Sequence, residues 1–245
     1  MNKMFEDIYE TVWREIFPGF PMLDIETFQK LFTKDMMLPQ KYSCAITNTP
    51  IYSSSIYGYK KFISRPEVEK RVNQDNFMEE KKEIGSLKDL LSIMQKQALF
   101  RGSRSLNSEL VEESDDIYSS SHIYRSLHLY NCQKMLFCNN NKMCEYLLAS
   151  SGTGESTFGI HILDSGSISN SFDVSWSGKC ANSYFLHSCI DVRDSMFCFH
   201  LSSKQYCIGN MQFTEKEYTT LKKLLLKEYF DQLQEEGAFT MLASL

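Results

Sequence analysis

From Ser114 to Cys207 a Ser or a Cys stands on nearly every sixth residue, and an even beat of this kind requires successive repeats to occupy equivalent backbone positions. The series runs Ser114, Ser120, Ser126, Cys132, Cys138, Cys144, Ser150 and Ser156, slips by three through "SSGTGES", and restarts at Ser165. It continues with Ser171, Ser177, Ser183, Cys189, Ser195, Leu201 and Cys207, so fifteen of sixteen beats carry Ser or Cys and Leu201 is the one miss. Ser and Cys supply 26 of the 100 residues from 114 to 213. Random placement would therefore fill roughly four beats.

A second register runs three residues behind the first: Ile117, Ile123, Leu129, Met135, Leu147, Ile168, Val174, Cys180, Leu186, Val192 and Cys198, with Asn141, Thr153, Gly159, Lys204 and Asn210 departing from it. Residues three apart on a straight strand point to opposite faces. For both registers to face inward the chain must bend within every hexad. Short strands with a corner per repeat, wound into a coil, make a β-solenoid, and small side chains fit where the bends crowd its axis. With three hexads per coil, position i stacks on i+18. Cys132 would then lie between Ser114 and Ser150, and Ser171, Cys189 and Cys207 would form one ladder.

The remaining sequence predicts an α+β protein. Phe5, Ile8, Val12, Ile16, Phe28, Leu31 and Phe32 are spaced as on two short helices separated by "FPGFP". "YSCAITNTPIYSSSIYGYKKF", residues 42–62, has the β-branched and aromatic content of a hairpin. A charged stretch follows, then Ser86 and Asp89 form a capping box for "LKDLLSIMQKQALF". After the last hexad, Thr214 and Glu217 form a second one, opening a helix with Tyr218, Leu221, Leu225, Tyr229 and Leu233 on one face that closes the solenoid's end. The expected organisation is a mainly helical region at 1–112 with a hairpin near 42–62, a β-solenoid at 113–213, and a capping helix and tail at 214–245.

Twenty-six basic against 31 acidic residues give a formal charge of -5, which argues against a chain that coats nucleic acid. The eight cysteines include no CxxC pair, and the opening "MNKMFEDIYE" lacks an apolar signal core, so a reducing intracellular, cytoplasmic setting is expected. No apolar run approaches the roughly 20 residues needed to span a bilayer, and no membrane partner is expected.

The terminal stretch "SKQYCIGNMQFTEKEYTTLKKLL" resembles the ends of a group of uncharacterised bacterial proteins in which Ser- or Cys-bearing hexads run into a "KxYCIxNxQ" segment and a Tyr-rich helix. The likeness covers roughly the last 110 residues. It echoes faintly at "YSCAITNTPIY", where the relatives carry more cysteines in a ribbon-like arrangement, whereas Cys44 is the only one in this segment here. The resemblance implies a β-helical fold and no established activity. More distantly, the hexads are similar to other β-helical scaffolds, such as tubulin cofactor C domains and iron–sulfur assembly scaffolds.

Candidate sites are few. Cys180, Cys189, Cys198 and Cys207, with His187 and His200 nearby, have metal-binding chemistry but fall on inward positions where Ser or aliphatic residues stand elsewhere, so packing is expected and no cofactor. "SSGTGES" lacks the Lys and the context of a P-loop and is read as the slip in register. Arg101 and Arg104 of "RGSR" could hold an anion, or end a helix at Gly102. His122, His128, Asp115, Asp116, Asp164, Asp191 and Asp194 could do acid–base work, but no nucleophile motif accompanies them.

The aromatics off the inward beats must be covered, because so much aromatic surface is rarely left wet. Phe172, Trp176, Tyr184 and Phe197 are the candidate partner-binding residues, with the N-terminal half as the competing cover. The expectation is a non-enzymatic scaffold or docking module in a larger protein assembly. The alternative is an enzyme or binder of carbohydrate or an anionic small ligand in a groove beside the solenoid. A nucleic-acid contact through Arg101, Arg104, Lys60 and Lys61 ranks third.

Overall fold

The computed structural model describes residues 1–58 and 61–236, and residues 105–208 form a β-solenoid of about nine turns. The ladder opens where Ser105 pairs with Ile117, ahead of residue 113. Pairing joins residue i to i+12 throughout, as in Ile117↔Leu129, Met135↔Leu147 and Val174↔Leu186. Two hexads therefore close a coil, not three. Cys132 stacks between Ser120 and Cys144, and Ser171 begins the ladder Ser171, Ser183, Ser195, Cys207 rather than one shared with Cys189.

The backbone explains the shorter coil. From Asp116 to Gly209 every third residue is left-handed, with φ between +42° and +66°. Each such residue turns the chain, so one residue of every three faces the axis, and from 114 to 198 that residue is buried in every coil. Left-handed backbone is most strained for β-branched side chains. None of these positions between 116 and 209 holds Val, Ile or Thr.

The inward Ser explains the beat. Ser177 donates from its hydroxyl to the Ser175 carbonyl (2.8 Å) and accepts the N–H of Cys189 one coil on (2.9 Å). Ser126, Ser150, Ser171, Ser183 and Ser195 repeat both bonds. The hydroxyl thus satisfies an N–H at each corner that would otherwise be buried without a partner. Cys keeps the same two partners through a weaker donor and acceptor: Cys138 Sγ lies 3.3 Å from the Leu136 carbonyl and takes the Ser150 N–H one coil on. Asn141 imitates Ser with its side-chain oxygen, 2.9 Å from the N–H of Thr153. Gly159 stays small because a Cβ there would meet Ile162 Cγ1 at 2.7 Å. The three-residue slip moves the serines a quarter of a coil without breaking the stack, bridged by two seven-residue strands, Thr157–Leu163 and Ser169–Ser175, that span both settings.

Helices α1 (Lys3–Ile16) and α2 (Ile25–Phe32) carry side-chain N-caps from Asn2 and Asp24 and lie on one broad face of the coil. Strands β1 (Gln40–Ser43) and β2 (Pro50–Ser53) form the expected hairpin, and β3 (Phe62–Ile63) pairs with β4 (Phe100–Arg101). Between them lie α3 (Arg65–Asn73) and α4 (Leu87–Gln97), the latter capped by Ser86. Helix α5 (Glu215–Glu236) starts at the Thr214–Glu217 capping box, beside Tyr206, and continues across the face carrying α1 as far as Phe172.

The motif "KxYCIxNxQ" ends the stack. Asn210 Oδ1 accepts the Phe199 N–H (3.0 Å) and its Nδ2 donates to the Phe199 carbonyl (2.9 Å), standing in for a further coil. Gln212 Nε2 donates to the Gln205 carbonyl (2.6 Å). Lys204 occupies an inward register position yet is exposed, an ammonium where another coil would need an aliphatic residue. Charges so placed prevent edge-to-edge association.

Candidate docking face

Stacking at i+12 sorts the outward residues into columns. Tyr124, Leu136, Leu148, Ile160, Phe172, Tyr184, Met196 and Ile208 share one column, and all are buried beneath α1, α2 and α5. Phe172 meets Phe17 with ring centroids 4.9 Å apart and Phe32 at 5.7 Å. The Tyr184 hydroxyl donates to the Ile16 carbonyl (2.7 Å), and burial pushes its phenol pKa up. Phe197 stacks on Phe185 at 4.4 Å, against the same cluster.

Three of the four residues expected to meet a partner thus pack against the protein's own helices. Phe172 and Tyr184 in particular have no surface to offer. Trp176 differs. It lies four residues past Phe172, around the corner of the coil, and is 67% exposed.

Among the described residues, none covers the opposite face. One column there reads Leu106, Tyr118, Tyr130, Lys142, Gly154, Gly166, Gly178, Ile190, Ser202 in successive coils. Leu106, Tyr118, Tyr130 and Ile190 are exposed, as are Met143 beside the column and Trp176 and Phe199 at the adjoining corner. Lys142 Nζ stands 5.9 Å from the Tyr130 ring centroid. Three consecutive glycines leave bare backbone at the middle of the face. Sequence spacing missed this column because its members line up only at a period of twelve.

Arg104 is engaged within the fold, and Arg101 lies apart from it with its Nε buried. Arg104 donates through Nε (3.0 Å) and Nη2 (2.9 Å) to the buried carboxylate of Asp115, which also takes the Arg104 N–H and the Ser53 hydroxyl. Its forked donors tie the first coil to the hairpin. Arg101 lies in β4 and ends no helix; Gly102 is needed because a Cβ would meet Ile51 Cγ2 at 2.5 Å. Lys61 donates to the Gln95 carbonyl (3.0 Å), and Lys60 lies outside the described residues.

All eight cysteines are unpaired and buried, and among the described residues no three His, Cys, Asp or Glu side chains converge as metal ligands. Cys180, Cys189, Cys198 and Cys207 belong to the apolar interior with Ile168, Val174 and Leu186. Cys44 is different. Burial raises its thiol pKa, but hydrogen bonds from the Thr47 hydroxyl and from the N–H groups of Thr47, Ile46 and Ser64 outweigh this and bring it down to about 6.

Of the acid–base residues, Asp115, Asp116 and His128 meet around Arg104 in the first coils, while Asp191 and Asp194 lie in the last ones with other partners. Asp116 bonds His128 (2.6 Å) and the Tyr118 hydroxyl (3.0 Å), Asp191 accepts from Ser203, and Asp194 accepts from Gln205. Among the described residues no helix is long and apolar enough to cross a membrane. Compared with protein-family models and with curated proteins, the chain matches none.

Proposed function

We propose that the protein is a non-enzymatic β-solenoid docking module, and that its uncovered face receives a protein partner within a larger assembly. One observation carries the reading: the same coils bury their outward aromatics on one side and expose Tyr118, Tyr130, Ile190 and Trp176 on the other. Aromatic and aliphatic side chains concentrated on one rigid surface match the composition of interface cores. Catalysis fits less well, since Asp115, Asp116, His128, Asp191 and Asp194 are engaged with one another or with structural partners.

The test is co-purification from a native source with Tyr130→Ser/Trp176→Ser. The double variant should keep its melting temperature and lose the proteins that travel with the wild type. An unchanged set of companions would overturn the proposal.

A further inference from the structure

A repetitive face poses a problem that apolar packing alone does not solve. Apart from the Tyr184 hydroxyl on the Ile16 carbonyl, the column under the helices offers apolar contact in every coil, so sliding α1 and α2 by one coil, about 4.8 Å, would bury nearly the same kind of surface. Something must select one register.

At the next position along the coil Phe137, Ala149 and Phe185 are buried, but the coils between Ala149 and Phe185 carry His161 and Asp173. The imidazole is fully buried. Its Nδ1 lies 2.9 Å from Asp173 Oδ1, and its Nε2 lies 3.2 Å and 3.4 Å from the two carboxylate oxygens of Asp35, just beyond α2. A ring with a carboxylate on each nitrogen donates from both and is an imidazolium. We infer that the Asp35–His161–Asp173 triad is a register lock, fixing the coil on which the N-terminal helices sit.

A slip by one coil would carry Asp35 out of hydrogen-bonding reach and leave a buried ion pair short of its second carboxylate. Burial without pairing is heavily penalised, so a buried ionic group selects among arrangements that apolar contacts leave nearly equal. The inference is independent of what docks on the far face.

Burial disfavours the charged ring, but the hydrogen bonds to Asp173 and Asp35 outweigh it and hold the pKa up at about 9. Asp35, raised by burial but lowered more by His161, stays ionised. From α5, burial and the Asp173 charge push the Tyr229 phenol up, so it stays neutral. His161 is raised above the unfolded value of about 6.5, so its contribution is complete below that pH and is lost as pH rises through the folded-state pKa. The neutral ring keeps one N–H. Asp173 is enclosed whereas the Asp35 side chain is 43% exposed and can turn to water, so the Asp35 link is the one released.

The two tryptophans make the test direct, because Trp13 lies in the aromatic cluster under α1 and Trp176 lies outside it. The protein is labelled with fluorotryptophan and observed by fluorine NMR. The variant Asp35→Ala/His161→Phe/Asp173→Ala places at 161 and 173 residue types this outward position already holds at Phe137, Ala149 and Phe185, and removes the Asp35 carboxylate that faces them. It should melt within about 4 °C of the wild type, with the Trp13 line split or broadened and the Trp176 line unchanged. A single sharp Trp13 line would overturn the inference. Should the variant not fold, titration of the wild type decides: the Trp13 line should broaden or move as His161 loses its proton, and a Trp13 line indifferent to that transition would equally overturn it.

Discussion

The two broad faces of the solenoid share one interior. Behind both stand the same Ser and Cys ladders and the same left-handed residue at every third position, yet one face is a core and the other a surface. The interior of a solenoid therefore says nothing about its exterior, which is decided column by column at the coil period. Burial on the first face comes from α1, α2 and α5, which pack Phe17, Phe32 and Phe230 onto the column of Phe172 and Tyr184.

Breaking the covered face should have the largest effect. Phe172→Ala removes a ring that touches Phe17, Phe32 and Phe185, and should cost about 3 to 5 kcal/mol, read as a lowered denaturation midpoint. The shared interior comes next. Ser177→Ala strips the acceptor from the buried Cys189 N–H and should cost about 1 to 3 kcal/mol, whereas the native hexads that carry Cys imply that Ser177→Cys loses less. On the uncovered face Trp176→Ser should change stability by no more than about 0.5 kcal/mol. A loss comparable with that of Phe172→Ala would show that the two faces are not distinct.

The smallest effect sharpens the contrast between the hairpin and the solenoid. Alkylation of the native protein should reach Cys44 before Cys138, Cys180, Cys189 and Cys198, with a rate that rises as pH passes through about 6, because burial pushes those four thiols up. Peptide mapping after brief labelling reads the order directly. Equal labelling of Cys189 would contradict the difference in thiolate character.

Much of this architecture is legible in the chain, and for physical reasons. The Ser beat reflects a hydrogen-bond requirement that recurs at every corner, and the capping boxes at Ser86 and Thr214 satisfy specific N–H groups. The coil length is less accessible, because a hexad with one bend is compatible with two or three strands per turn. The signal was present in the avoidance of Val, Ile and Thr at every third position, which marks a chain turned more often than a three-sided coil needs. The coil length in turn decides which residues share a face. At a period of twelve Phe172 and Tyr184 share a column and Trp176 does not, whereas counting hexads alone leaves all three simply outside. His161 and Asp173 were also invisible as a pair until their separation matched one coil.

The end built by Lys204, Asn210 and Gln212 makes the solenoid a counted object. Its length is finite because the last coil meets amides and an ammonium instead of another strand, so the chain can grow or shrink only upstream of them. Every outward residue keeps its column only if such a change comes in steps of twelve. A deletion of one whole coil would shorten the molecule and preserve its two faces; a deletion of six would rotate everything beyond it by half a turn, delivering buried aromatics to water and exposed residues to the helices. Tolerance to insertions and deletions along this chain is thus quantised, with twelve residues as the unit.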